Sequence, residues 1–180
     1  MPKTSRLVEE ALLIPLTGPA SAVTQTQALL SGSFFESFGH PDILDAQVRV
    51  RFRLAREAGG FSLSLDFDGQ LSLPCDRCME VMDWPLSFTA EYALRRRQDR
   101  EPDPGERTED GREIIPVDAG AKEFDAAQLV YDELSLSIPI RHCHPEGGCN
   151  AKALAYLTDT PGGEEELTDT PFAALKDLQW

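Results

Sequence analysis

From Ile43 to Arg56 the chain alternates apolar and polar residues almost without a break. Leu44, Ala46, Val48, Val50, Phe52 and Leu54 fall on one parity, and Asp45, Gln47, Arg49, Arg51 and Arg53 on the other. A period of two describes a β-strand with one buried and one wet face. Glu57-Ala58-Gly59-Gly60 reads as a four-residue loop, after which Phe61 to Asp68 alternates again. Folding the two runs together sets Phe52 against Leu65 and Val50 against Phe67 on the apolar side. On the polar side the same register sets Arg51 against Asp66 and Arg49 against Asp68, and this agreement of both faces predicts an antiparallel hairpin.

Asp68-Gly69 is a tight-turn dipeptide, so Leu71-Ser72-Leu73 is expected to return as a third strand that runs into Cys75. Beyond Cys78, Met82, Trp84, Leu86, Phe88, Ala90, Tyr92 and Leu94 alternate and predict a fourth. Upstream, Leu12, Ile14 and Leu16 suggest a strand closed by a Thr17-Gly18-Pro19 turn, followed by a second around Gln25 to Leu30. Phe34 to Phe38 reads as a short helical turn that plugs aromatics into the sheet. Ile114 to Val117 is expected to be a strand, and Asp125 with Gln128 resembles a capping box for a helix to about Leu134. Ala151 to Leu157 suggests another helical turn, and Thr170-Pro171 starts a helix over 171–180. The pattern predicts an α+β fold: a mainly antiparallel sheet, meander or half-barrel-like, with small helices. A single domain over 1–180 is expected, with an exposed, mobile charged loop at 95–112.

Composition narrows the picture. The 180 residues carry a formal net charge of −14. Such a charge repels polyphosphates unless a local patch overrides it, which excludes wholesale wrapping around nucleic acid. No run approaches the length of a membrane span, and Glu9 and Glu10 stand where a signal peptide would be apolar. A cytoplasmic protein is expected, in a compartment where spaced cysteines more often bind metal than form disulfides.

The four cysteines form two close pairs, Cys75 with Cys78 and Cys143 with Cys149. A Cys-x-x-Cys turn sets two sulfurs at adjacent corners of a tetrahedron, and a second pair completes a site for Zn²⁺. Gly147 and Gly148 let the longer second spacing fold back, and His144 offers an imidazole beside Cys143, so the fourth ligand stays open between these two. The bland readings are free buried thiols or a redox Cys-x-x-Cys, though redox motifs usually open a helix whereas this one lies between strands. A structural zinc knuckle stapling the sheet is the expectation, with no catalytic residue assigned. No Ser-His-Asp arrangement or phosphate-cradling glycine loop is evident.

Two basic features compete with plain solvation. The row Arg49, Arg51, Arg53 suits phosphate, but Asp66 and Asp68 opposite it favour cross-strand pairing. Arg95-Arg96-Arg97 with Arg100 reads as a solvated run neutralised in part by Glu101, Asp103 and Glu106.

The series Cys75-Asp76-Arg77-Cys78-Met79, Asp132-Glu133-Leu134-Ser135-Leu136-Ser137-Ile138-Pro139-Ile140, His144 and Cys149 resembles the YceD family, large ribosomal RNA subunit accumulation proteins. Ile14-Pro15-Leu16-Thr17-Gly18, Phe34-Phe35-Glu36 and the Pro171 to Leu178 helix are similar to one branch of it. The resemblance implies a small cytosolic, non-catalytic factor needed for normal levels of large-subunit RNA. It places Cys75, Cys78, His144 and Cys149 on the family's cysteine and histidine positions, with Cys143 where an apolar residue is usual. Given the acidic balance, a protein partner in large-subunit assembly is expected, a basic ribosomal protein among the candidates. The alternative is a thiol redox or RNA-processing enzyme that uses the Cys-x-x-Cys.

Overall fold

A computed structural model describes residues 12–17, 23–97 and 105–158. Among the described residues the strands are β1 (Leu13–Pro15), β2 (Thr24–Ser31), β3 (Asp45–Glu57), β4 (Gly60–Pro74), β5 (Val81–Arg96), β6 (Glu113–Val117) and β7 (Glu123–Asp125), accompanied by three helices. These are α1 (Gly32–Phe38), α2 (Ala127–Ser137) and α3 (Ala151–Thr158). The large sheet has the order β2-β3-β4-β5-β6. Its first four strands form an antiparallel meander, and β6 joins β5 in parallel. The fold is thus α+β with a mostly antiparallel sheet, as the alternation predicts.

The β3–β4 hairpin has the anticipated register, with Phe52 on Leu65, Val50 on Phe67, Arg51 on Asp66 and Arg49 on Asp68. Its loop is shorter than four residues, because Glu57 pairs with Gly60 and leaves Ala58 and Gly59 as the turn. Gly59 supplies the left-handed φ of 81° that so tight a reversal needs. The alternation also starts later than Leu44, which is exposed while Ile43 is buried.

Asp68-Gly69 is not a turn. β4 runs unbroken from Gly60 to Pro74, with Gly69 between Val48 of β3 and Leu86 of β5. A Cβ on Gly69 would lie 2.1 Å from the Gln47 carbonyl oxygen, so glycine is required by close backbone approach rather than by chain reversal. Leu63, Leu65 and Phe67 before it share a parity with Leu71 and Leu73 after it, and all five are buried.

One face of the sheet carries the core. Val48, Val50, Phe52, Leu63, Leu65 and Phe67 lie beneath Phe35 of α1, Val130 and Leu134 of α2, and Leu12, Ile14 and Leu16. β1 pairs with β7 instead of joining the large sheet. Phe38 of α1 stacks on Tyr131 of α2 with centroids 4.4 Å apart. The Tyr92 hydroxyl of β5 donates to the Glu133 carboxylate, which ties α2 across the sheet. The capping box does not form. Ala126, not Asp125, is the N-cap; Asp125 accepts from the Ala127 N–H at 2.9 Å, and Gln128 reaches forward to Asp132 at 2.8 Å. The helix also runs on to Ser137, ending before Pro139.

The charged stretch 95–112 is structured where it is described. β5 continues through Arg96, a Thr108–Arg112 turn follows Gly105, and Arg112 places its guanidinium 3.0 Å from Glu57 and 2.8 Å from Asp110. Arg95 also meets Glu57 at 3.4 Å, Arg97 meets Asp118 at 3.7 Å, and Arg96 donates to the Ala119 carbonyl. Glu57 and Asp118 thus take part in neutralising the run, while Arg100, Glu101 and Asp103 lie outside the described residues. So do Gly18-Pro19 and the helix expected over 171–180.

Candidate metal centre

The end of β4 and the start of β5 are joined by the six residues Cys75 to Glu80, which form a knuckle. The Cys75 N–H donates to the Glu80 carbonyl at 2.9 Å, and Met79 donates back to the Cys75 carbonyl at 2.9 Å. Met79 itself takes a left-handed φ of 60°, so the reversal is sharp enough to turn both cysteine side chains inward. The Arg77 N–H points at the Cys75 sulfur at 3.4 Å.

The partner segment follows α2. It is brought to the knuckle by a clip that the spacing argument missed. The Asp76 N–H donates to the His142 carbonyl at 2.9 Å, the His142 N–H donates to the Asp76 carboxylate at 2.7 Å, and the His142 Nε2 lies 3.6 Å from its other oxygen. The His142 Nδ1 donates to the Pro139 carbonyl at 3.2 Å and fixes the ring. An acidic side chain inside a Cys-x-x-Cys, with a histidine two residues before the second pair's His144, was the available sign. From His142 the chain turns at Pro145 to Gly148, where the Gly148 N–H meets the Pro145 carbonyl at 2.9 Å and Gly147 has a φ of 80°. Asn150 then opens α3, its side chain accepting from the Lys152 N–H at 2.8 Å.

This path gathers Cys75, Cys78, His144 and Cys149, whose donor atoms all lie within 4.8 Å of one another. The Cys75 and Cys149 sulfurs are 3.9 Å apart, and the Cys78 sulfur is 3.5 Å from the His144 Nδ1. Ligands on a tetrahedral Zn²⁺ would stand roughly 3.8 Å apart for two sulfurs and roughly 3.6 Å for sulfur and nitrogen, given ordinary zinc–ligand lengths. The donor set and its spacing therefore fit a soft four-coordinate cation. Cys143, the fifth candidate, is outside this group; it is half-buried and packs against the cluster beside Ala153 and Leu154.

The electrostatics run in two directions. Burial raises the Cys75 thiol, but N–H groups of His144, Arg77 and Cys78 outweigh it and bring the thiol down to about 5. Cys149 is pushed up, first by burial and then by the neighbouring Cys75 and Cys78. Backbone donors thus hold one thiolate in advance, the state that metal binding needs. Cys75 and Cys78 are both buried.

The fold and the site together define a mixed α+β protein in which three cysteines and a histidine join the end of a β-meander to the segment after α2. The sequence profile of the YceD family, described as large ribosomal RNA subunit accumulation protein YceD, matches residues 63–179, well over half of the chain. The chain belongs to that family. No curated protein and no solved structure matches it. Among the described residues no helix is long and apolar enough to cross a membrane.

Proposed function

We propose that this chain is a non-catalytic cytoplasmic factor that supports synthesis, processing or stability of large-subunit ribosomal RNA by binding, with zinc as a structural staple. Membership of the family carries the process. The cluster supports the absence of turnover. Four protein donors fill a tetrahedron, and a catalytic zinc would keep one position for water. Zinc at Cys75, Cys78, His144 and Cys149 would instead hold the knuckle against the segment from His142 to Cys149, closing an excursion that passes through β5, β6, β7 and α2.

The partner is a protein, of basic character. The formal net charge of −14 disfavours broad contact with bare RNA and suits a cationic surface. Depletion of the protein, followed by measurement of both ribosomal RNAs, tests the process: large-subunit RNA is expected to fall relative to small-subunit RNA, and an unchanged ratio refutes the reading. Affinity capture after nuclease treatment tests the partner. Recovery of a basic large-subunit protein is expected, and recovery of no protein rules this partner class out.

A further inference from the structure

The outer face of the sheet holds a row of cations without a carboxylate partner among the described residues. Arg49, Arg51 and Arg53 project from β3 on the exposed parity, about 6.8 Å from one to the next along an extended strand. The register brings Asp68 opposite Arg49 and Asp66 opposite Arg51. Yet among the described residues none of the three arginines has a carboxylate within 4.0 Å. Asp66 is turned the other way and accepts from the Thr89 hydroxyl of β5 at 2.9 Å. Six other arginines contrast with this row, whereas Arg77 and Arg141, which stand singly in the sequence, also have no carboxylate within 4.0 Å among the described residues. Arg95, Arg97 and Arg112 are ion-paired, Arg96 and Arg107 donate to carbonyls, and Arg56 lies over the Phe61 ring.

β2 extends the surface. Its Gln25 and Gln27 pair with Arg53 and Arg51, and these four residues line a shallow depression of about 370 Å³ with Asp66 at one side. Planar guanidinium groups and amides are the side chains that grip phosphate oxygens, the former bidentately. The outward positions of β2 to β5 carry no aromatic ring on which a base could stack, so such contact would follow the backbone and ignore the sequence.

We infer that the Arg49-Arg51-Arg53 row with Gln25 and Gln27 is a contact site for the phosphate backbone of single-stranded RNA. The choice of RNA over an acidic peptide rests on the proposed role in large-subunit RNA accumulation; the uncompensated row does not. The contact is confined to this strand, which reconciles it with an acidic chain. Asp66 and Asp68 beside the row keep it weak and salt-sensitive.

Fluorescence polarisation with a labelled oligouridine of about 12 nucleotides, in salt from about 50 to 200 mM, tests this. Three phosphate contacts predict a slope of log affinity on log salt near about −2. The triple variant Arg49→Gln/Arg51→Gln/Arg53→Gln is expected to bind at least about tenfold more weakly at low salt and to lose that slope. Asp66→Asn/Asp68→Asn is expected to bind tighter. Wild-type protein that does not bind, a triple variant that binds as wild type, or a pair of Asp variants with no gain would each overturn the site. So would an Asp/Glu-rich peptide that binds the row in preference to the RNA. The Asp variants keep the test decisive should the triple variant fail to fold. RNA binding through this row alongside a normal ribosomal RNA ratio in depleted cells would remove the proposed function and leave the site standing.

Discussion

His144 and Cys143 are chain neighbours, and the backbone decides between them. The His144 N–H is directed at the Cys75 sulfur at 3.4 Å, so residue 144 faces the cluster through both main chain and ring. Residue 143 then points to the rim. Spacing alone left these two open because Cys-x₅-Cys counts residues and carries no direction; the deciding hydrogen bond comes from a part of the chain 69 positions away. Cys149→Ser removes a cluster donor, and Cys143→Ser does not. Protein purified with the first substitution is expected to fall from about one zinc per chain to a small fraction of that. The knuckle and its partner segment should then melt ahead of the meander, at a temperature lower by roughly 4–8 °C, equivalent to about 2 kcal/mol. The second substitution is expected to retain the metal and melt as wild type. Elemental analysis with calorimetry reads both, and equal metal loss in the two variants would exclude the assignment.

At the scale of elements, the hairpin was legible because two faces of two strands had to agree at once, and only one register satisfies both. The turn at Asp68-Gly69 misled because a glycine after an acid is common to hairpins and to strand positions where backbones crowd. The unchanged parity from Leu63 through Leu73 was the better guide, since an apolar series that keeps phase through a glycine describes one strand. The ion pairs made by Arg95 and Arg112 were not legible for another reason. Composition reports polarity, whereas the carboxylate that both arginines meet is Glu57 at the far end of β3, which no local window contains. Glu57 is held below the usual carboxylate range chiefly by the hydrogen bond from Arg112, against a smaller opposing effect of burial, with Arg95 adding to it. A depressed carboxyl contributes stability above its unfolded value, and that contribution disappears as pH falls through the lowered folded value. Glu57→Gln is therefore expected to lower the melting temperature at pH 7 by roughly 2–4 °C, about 1 kcal/mol for a partly exposed pair. The gap between variant and wild type should close as the solution is acidified below the ordinary carboxylate range. A gap that persists in acid would mean that Glu57 acts through packing and not through its charge.

Across the whole molecule the apolar interior is divided. The main core lies between the sheet and α1, α2 and β1, and contains none of the four cysteines. Cys75, Cys78, Cys149 and Met82 form a separate small cluster with Ala153 and Leu154 of α3 packed on it, and Trp84 borders both. A metal at that cluster would contribute little to the meander, which is already held by its own buried face and its ladder of strand hydrogen bonds. It would contribute most to the knuckle, the His142–Cys149 segment and α3, whose apolar contacts are few. Cooperative units of unequal stability within one fold are the general consequence of such a division. Hydrogen exchange with and without a chelator reads it directly. Removing the metal is expected to speed exchange by at least about tenfold over 75–80 and 142–158, and to leave 48–54 and 61–67 unchanged. Uniform acceleration would show that the metal supports the meander as well, and the absence of any change would show that the clip from Asp76 to His142 holds the two segments together without it.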